Sequence, residues 1–172
     1  MTDPFLAAIA FTLQAEGGLV DDPRDAGGIT NMGLTIADLT LWERHRGTAD
    51  DVRDLTREEA VAIYRATYWQ IVRGAALPAG IGLSVFDHGV NRGTGASAKI
   101  LQRLVGTAVD GVIGPHTLTA TTVAAYGDTA GLLAKLHDAQ RDDYLALANP
   151  AFEKGWLARC DARYAAAQAA VP

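Results

Sequence analysis

An all-helical fold is what this sequence predicts, and three observations predict it. Apolar residues recur at three- and four-residue spacing along most of the chain, Asp-Pro and Asn-Pro cap pairs are answered by glycine stops, and strand-like alternation is scarce. Thirty-two alanines among 172 residues let such helices approach closely.

Asp3-Pro4 supplies a cap and a proline at the first helical position, and Phe5, Ile9, Leu13 and Glu16 share one face up to the Gly17-Gly18 stop. Thr35 to about Arg46 reads as a second amphipathic helix. Thr56-Arg57-Glu58-Glu59 is a capping box that opens a third, with Val61, Tyr64, Tyr68 and Ile71 on one stripe ending at Gly74. Pro78 and Gly80 open an apolar helix that runs through Val90 and stops at Asn91-Arg92-Gly93. A further helix covers about Gly95 to Val105. Pro115 follows the turn-rich Asp110-Gly111-Val112-Ile113-Gly114 and starts another. Two long helices, roughly Gly127 to Ala148 and Pro150 to Ala170, finish the chain.

Composition narrows the partners. With 15 basic and 20 acidic side chains the net charge is −5, so no global positive field points to nucleic acid. Residues 1–60 hold 5 basic and 12 acidic groups, whereas residues 61–172 hold 10 and 8. No apolar run approaches the roughly 18 to 20 residues of a membrane helix, so membrane insertion is not expected. Cys160 stands alone and cannot form an internal disulfide. His45, His88, His116 and His137 lack the paired spacing of zinc ligands, so neither a metal nor any other cofactor is expected. The N-terminus shows no basic segment of an export signal, and synthesis in the cytoplasm is the expectation.

The one long stretch without periodicity is Gly17 to Leu34, rich in glycine and carboxylates, and long irregular loops in compact domains are often functional. Glu16 precedes it. On the apolar stripe and in the last helical turn, its carboxyl meets both desolvation and the negative end of the helix macrodipole, and both favour the protonated form that a general acid requires. A surface glutamate at a helix end is the alternative reading. Asp25 lies nine residues on, Thr30 five beyond that, and Asp21 and Asp22 are nearer carboxylates. Two carboxyls in unlike environments divide the acid and base roles of glycoside cleavage. Individually, these aspartates are also ordinary turn formers.

Glu16-Gly17-Gly18-Leu19 followed by Asp22-Pro23-x-Asp25-x-Gly27-Gly28-x-Thr30-x-x-Gly33-Leu34-Thr35 resembles the signature of the glycoside hydrolase family 108 N-acetylmuramidases, found among phage endolysins and secretion-associated wall hydrolases. The likeness continues through Tyr68-Trp69, Leu77-Pro78, Val85-Phe86-Asp87-x-x-Val90-Asn91-x-Gly93 and Leu101-Gln102. It ends with Asp110-Gly111-x-Ile113-Gly114-Pro115-x-Thr117-Leu118 and Phe152-x-Lys154-Gly155-Trp156. The resemblance implies a lysozyme-like, two-lobed helical fold with a long active-site loop after the first helix. Residues 1–93 would form the catalytic half and residues 94–172 a peptidoglycan-binding-like half, packed as one unit.

The implied reaction is cleavage of the β-1,4 bond between N-acetylmuramic acid and N-acetylglucosamine. Glu16 maps onto the essential glutamate of the family's Glu-Gly-Gly-Tyr motif, with Leu19 in place of the tyrosine. Asp25 and Thr30 fit the aspartate and threonine that follow the acid in many phage lysozymes, and Asp22 is the alternative second carboxylate. Asp87, Asn91, Tyr68 and Trp69 are candidate groove residues, with core packing the competing role for the aromatics. The partner is the peptidoglycan glycan strand, reached through a holin pore or a secretion apparatus. Lytic transglycosylase chemistry, which leaves 1,6-anhydro ends, and a noncatalytic wall-binding or secretion-accessory role are the alternatives.

Overall fold

The computed structural model describes residues 3–21, 28–43 and 47–171. Its main elements are α1 (Pro4–Glu16), a hairpin of β1 (Thr30–Asn31) and β2 (Leu34–Thr35), then α2 (Ile36–Glu43), α3 (Ala49–Asp54) and α4 (Arg57–Tyr64). A π-helical turn (Arg65–Trp69) and a 3-10 turn (Gly74–Ala76) lead into α5 (Ala79–Arg92). There follow α6 (Thr94–Val105), α7 (Pro115–Ala125), α8 (Thr129–Leu145) and α9 (Pro150–Ala169). The fold is predominantly helical, as the periodicity predicts. No described helix is long and apolar enough to cross a membrane.

The helix ends follow local chemistry. Asp3 Oδ1 accepts from the Phe5 amide at 3.0 Å, and Thr56 and Glu59 form the expected reciprocal box at the start of α4. A second box, Thr48 with Asp51, opens the short α3, which the sequence reading does not separate from its surroundings. Before α9, Asn149 makes no side-chain cap bond, so Pro150 starts that helix without the cap expected of Asn149. The hairpin is the one sheet among the described residues and was not expected from a pattern this short.

The stripe proposed for the third helix breaks at its end. Each residue of an α-helix turns the chain by about 100°, and the wider π-turn takes up one extra residue, so the positions after it are rotated out of phase. Trp69 and Val72 therefore enter the core, and Ile71 is 57% exposed. Trp69 packs 5.5 Å from both Phe5 and Phe86, with Phe86 edge-on at 82°. Gly82 and Gly74 let the α5 backbone pass close to this cluster: a Cβ on Gly82 would meet the Gly74 carbonyl oxygen at 2.7 Å.

α5 is the central rod. Residues Gly80 to Gly89 are buried, and the helix packs against α1, α6, α8 and α9. Elements from both halves of the sequence thus share one core. Farther along, the Gln102 side chain organises the Asp110–Gly114 turn. Its Nε2 donates to Asp110 Oδ1 at 2.7 Å and to the Val112 carbonyl at 3.0 Å, and its Oε1 accepts from the Gly111 amide at 2.9 Å. The spacing of Leu101-Gln102 from Asp110-Gly111 is explained by that clamp.

Candidate active site

Glu16 sits where α1 stops. Phe5, Ile9 and Leu13 are buried along one stripe, and Glu16 continues it with a side chain 19% exposed. Gly17, at φ +79°, turns the chain away while its amide still donates to the Leu13 carbonyl at 3.3 Å.

The hairpin comes up beneath that carboxyl. Met32 and Gly33 both have positive φ, 50° and 79°, as a two-residue hairpin turn requires, and Asn31 pairs with Leu34 across it. Gly33 meets two demands at once, because a Cβ there would lie 2.6 Å from Glu16 Oε2 and 2.7 Å from the Tyr64 hydroxyl. Tyr64 is buried and donates its hydroxyl proton to the Met32 carbonyl at 2.8 Å. Burial, with the charge of Glu16 adding to it, pushes the Tyr64 phenol far above its ordinary pKa, so it stays a neutral donor.

Glu16 Oε1 is held from the opposite end of the sequence. Arg159 on α9 places Nη1 2.7 Å from it, and the same guanidinium binds Asp87 of α5 through Nη2 to Oδ1 at 2.8 Å and Nε to Oδ2 at 3.1 Å. Asp87 is fully buried. It also accepts from Thr12 Oγ1 at 2.9 Å and from Arg163 Nη1 at 3.1 Å, and Arg163 is itself fully buried against the Gln140 amide oxygen. Burial works against the Asp87 carboxylate, but Arg159 and Arg163 outweigh it and hold its pKa below the usual range. Burial likewise opposes the Arg159 cation, and the hydrogen bond and charge of Asp87, with Glu16, keep it firmly protonated. The result is a line of alternating charge, Glu16, Arg159, Asp87, Arg163, running from the site into the core.

Two candidate groove residues are placed elsewhere. Asp87 does not reach a cleft, because every route to solvent is closed and its oxygens are taken by Thr12, Arg159 and Arg163. Trp69 belongs to the aromatic core, 3% exposed. Tyr68 is half-buried beside Tyr64, ring centroids 5.6 Å apart, and burial raises its pKa with help from Asp38 and Glu16. Asn91 lines a cavity of about 490 Å³ between α1 and α9, into which Arg159 also faces.

Asp22, Asp25 and Gly27 lie outside the described residues. The loop that carries them is closed at its base by two backbone bonds between Val20 and Thr30, 2.8 and 2.9 Å, so Thr30 stands on β1 at the foot of the loop. Asp21 turns instead to Arg53 of α3, 2.8 Å away. Among the described residues, no group of three His, Cys, Asp or Glu side chains is arranged as a metal site. Cys160 is buried, and burial pushes its thiol pKa up, away from nucleophilic use.

Sequence reasoning missed Arg159, Arg163 and Thr12. The signal was present. An aspartate inside the apolar run Ile81 to Val90 requires a buried cationic partner, and Arg159 and Arg163 stand four apart on one helix face.

Comparison with known proteins accords with this geometry. The profile described as glycosyl hydrolase 108 matches residues 9–93, and one described as "Predicted Peptidoglycan domain" matches residues 96–161. No curated protein matches the chain. Among solved structures, the chain is similar to SagA of Brucella abortus, with 36% identity and a TM-score of 0.83 over 96% of this chain and 94% of that one. With the matched region carrying Glu16, the hairpin and Asp87, and with that similarity extending over nearly the whole length, the chain belongs to the glycosyl hydrolase 108 family, as a glycoside hydrolase acting on peptidoglycan.

Proposed function

We propose that the protein is an N-acetylmuramidase in which Glu16 is the general acid. One observation carries the reading: a carboxyl at the end of a buried helical stripe is gripped at Oε1 by Arg159, while Oε2 lies over the side-chain-free Gly33. Oε2 is the oxygen left to carry a proton to the glycosidic oxygen as positive charge develops on the muramic acid ring.

Asp25 or Asp22 would stabilise the developing charge or activate water from the loop, and Thr30, at the foot of that loop, would orient the water. Residues 94–172 would serve to hold the wall, while α9 of that half also completes the acid site through Arg159. Glu16→Gln is the decisive variant. An amide of the same shape keeps a partner for Arg159 but has no acidic proton to donate, so a folded protein is expected to lose at least about 100-fold in turnover of purified sacculi. Mass spectrometry of the products should show reducing N-acetylmuramic acid ends. Anhydro ends would instead assign transglycosylation, and near-normal lysis by folded Glu16→Gln would remove Glu16 from the role.

A further inference from the structure

At six residues, α3 is too short to stand on its own hydrogen bonds, and the sequence compensates locally. Thr48 and Asp51 cap each other's amides, and Asp50 and Asp51 lie at the positive end of the helix with Arg53 at the negative end. Val52 between them is fully buried. A well-anchored helix this small needs a reason to be where it is.

Two consecutive residues of α3 hold the two stems of the loop that carries Asp22 and Asp25. On the returning stem, Asn31 directly follows Thr30, is buried, and donates Nδ2 to the Val52 carbonyl at 3.0 Å. That carbonyl is one of the last four of the helix, which have no partner within it. On the outgoing stem, Asp21 directly follows Val20 and accepts at Oδ2 from Arg53 Nε at 3.0 Å and from Nη2 at 2.8 Å. Val20 and Thr30 are joined to each other by their two backbone bonds. Both stems are thus tied to each other and to one rigid element.

The Arg53–Asp21 contact is poorly placed to serve stability. Its side chains are 43% and 41% exposed, and exposed ion pairs contribute little. What it supplies is direction. The planar guanidinium engages Asp21 along one edge, while Nη1 is taken within α3 by Asp50 Oδ1 at 2.6 Å.

We propose that Arg53 is a positioning residue of the reaction: by holding Asp21 it fixes the point from which the chain continues to Asp22 and Asp25, opposite Thr30. The inference rests on the reading of those loop groups as partners of Glu16, and it gives α3 its purpose. A group that sets reacting geometry acts on kcat, whereas one that only grips the wall acts on KM.

The test measures kcat and KM of the full chain on soluble glycan strands, together with Tm. Asp21→Asn and Arg53→Gln should each lower kcat about 5- to 50-fold, with KM within about twofold and Tm lowered by at most about 4 °C. The two together should cost no more than either alone, because both remove the same contact. Arg53→Lys keeps the charge without the fork and should recover part of the rate. Asp50→Asn leaves both bonds to Asp21 in place and should keep kcat within about twofold. Unchanged kcat in folded Asp21→Asn or Arg53→Gln would overturn the assignment, as would additive losses in the double variant. Equal losses in Asp50→Asn and Asp21→Asn would also overturn it, by placing the effect in α3 itself. Failure of the underlying reading is separately visible, as full turnover by both Asp22→Asn and Asp25→Asn.

Discussion

Gly33→Ala puts the geometry of the proposed acid to a quantitative trial. The added methyl would lie 2.6 Å from Glu16 Oε2, 2.8 Å from Glu16 Cγ and 2.7 Å from the Tyr64 hydroxyl. Non-bonded carbon–oxygen contacts sit near ~3.3 Å, so something must retreat by roughly 0.7 Å. Tyr64 is buried and tied to the Met32 carbonyl, whereas the Glu16 side chain is partly open to solvent, so the carboxyl moves. A displacement of that size exceeds the tolerance of about 0.5 Å for a preorganised catalytic group, and errors near 1 Å cost about 100-fold in rate. The backbone adds its own penalty of about 1 kcal/mol for alanine at positive φ. Gly106→Ala is the control, because Gly106 has φ +70° and nothing within 4 Å of an added Cβ. Both variants should lose thermal stability by the backbone share, and only Gly33→Ala should lose turnover of purified sacculi, by about 10- to 100-fold. Equal activity in the two, at matched folded fractions, would refute the claim that Gly33 sets the position of Oε2.

Other outcomes follow from the buried charges. Asp87→Asn leaves Arg159 and Arg163 short of an anion in the core and should cost about 3 to 5 kcal/mol in urea unfolding, a large share of a typical domain's stability. A fragment ending at residue 93 lacks both arginines and the α8 and α9 surfaces that cover α5, and it should show no cooperative unfolding by circular dichroism. Stability should also fall in acid in two stages. His88 is fully buried, and burial holds its pKa below 6.5 despite Asp143 at 3.4 Å, so below pH 6.5 the unfolded chain takes up a proton that the folded chain refuses. Stability therefore declines as the pH falls through that range, by at most about 1.4 kcal/mol per pH unit, and His88→Phe should flatten the slope between pH 7 and 5. Asp87, whose pKa is lowered by its arginines, contributes fully above its ordinary value of 3.8, and that contribution is lost as the pH falls through its folded value.

What could be read from sequence was what short-range physics specifies. Asp3-Pro4, Thr56 with Glu59, Gly17 and Pro115 mark helix ends with local hydrogen bonds and backbone preference, and each stands where it was expected. Glu16 stands out in the sequence because a carboxylate that continues an apolar stripe is anomalous within a single helix, and its side chain does continue the stripe, 19% exposed. The misassigned groove residues, Asp87 and Trp69, failed for the complementary reason. An aspartate inside an apolar run announces a buried partner but not which one, and the arginines that take the Asp87 oxygens are 72 and 76 residues away. Trp69 was rotated into the core by a π-turn that leaves no periodic signature.

The Glu16–Arg159 pair bears on why the two matched regions occur in one chain. A wall-binding module needs only a linker to raise the local concentration of substrate, and a linker leaves the catalytic core self-sufficient. Here the core is not self-sufficient: the guanidinium that holds the Glu16 carboxyl comes from α9, and Asp87, which keeps that guanidinium in place, lies in the middle of α5. Burying Asp87 without a partner would cost several kcal/mol, so the first region carries a charge that only the second neutralises. Docking of α9 and assembly of the Glu16–Arg159 pair are therefore one event. Any variant that loosens α9 should lower the folded fraction and the turnover together, whereas a variant that touches only wall contacts should leave cleavage of short soluble glycans intact.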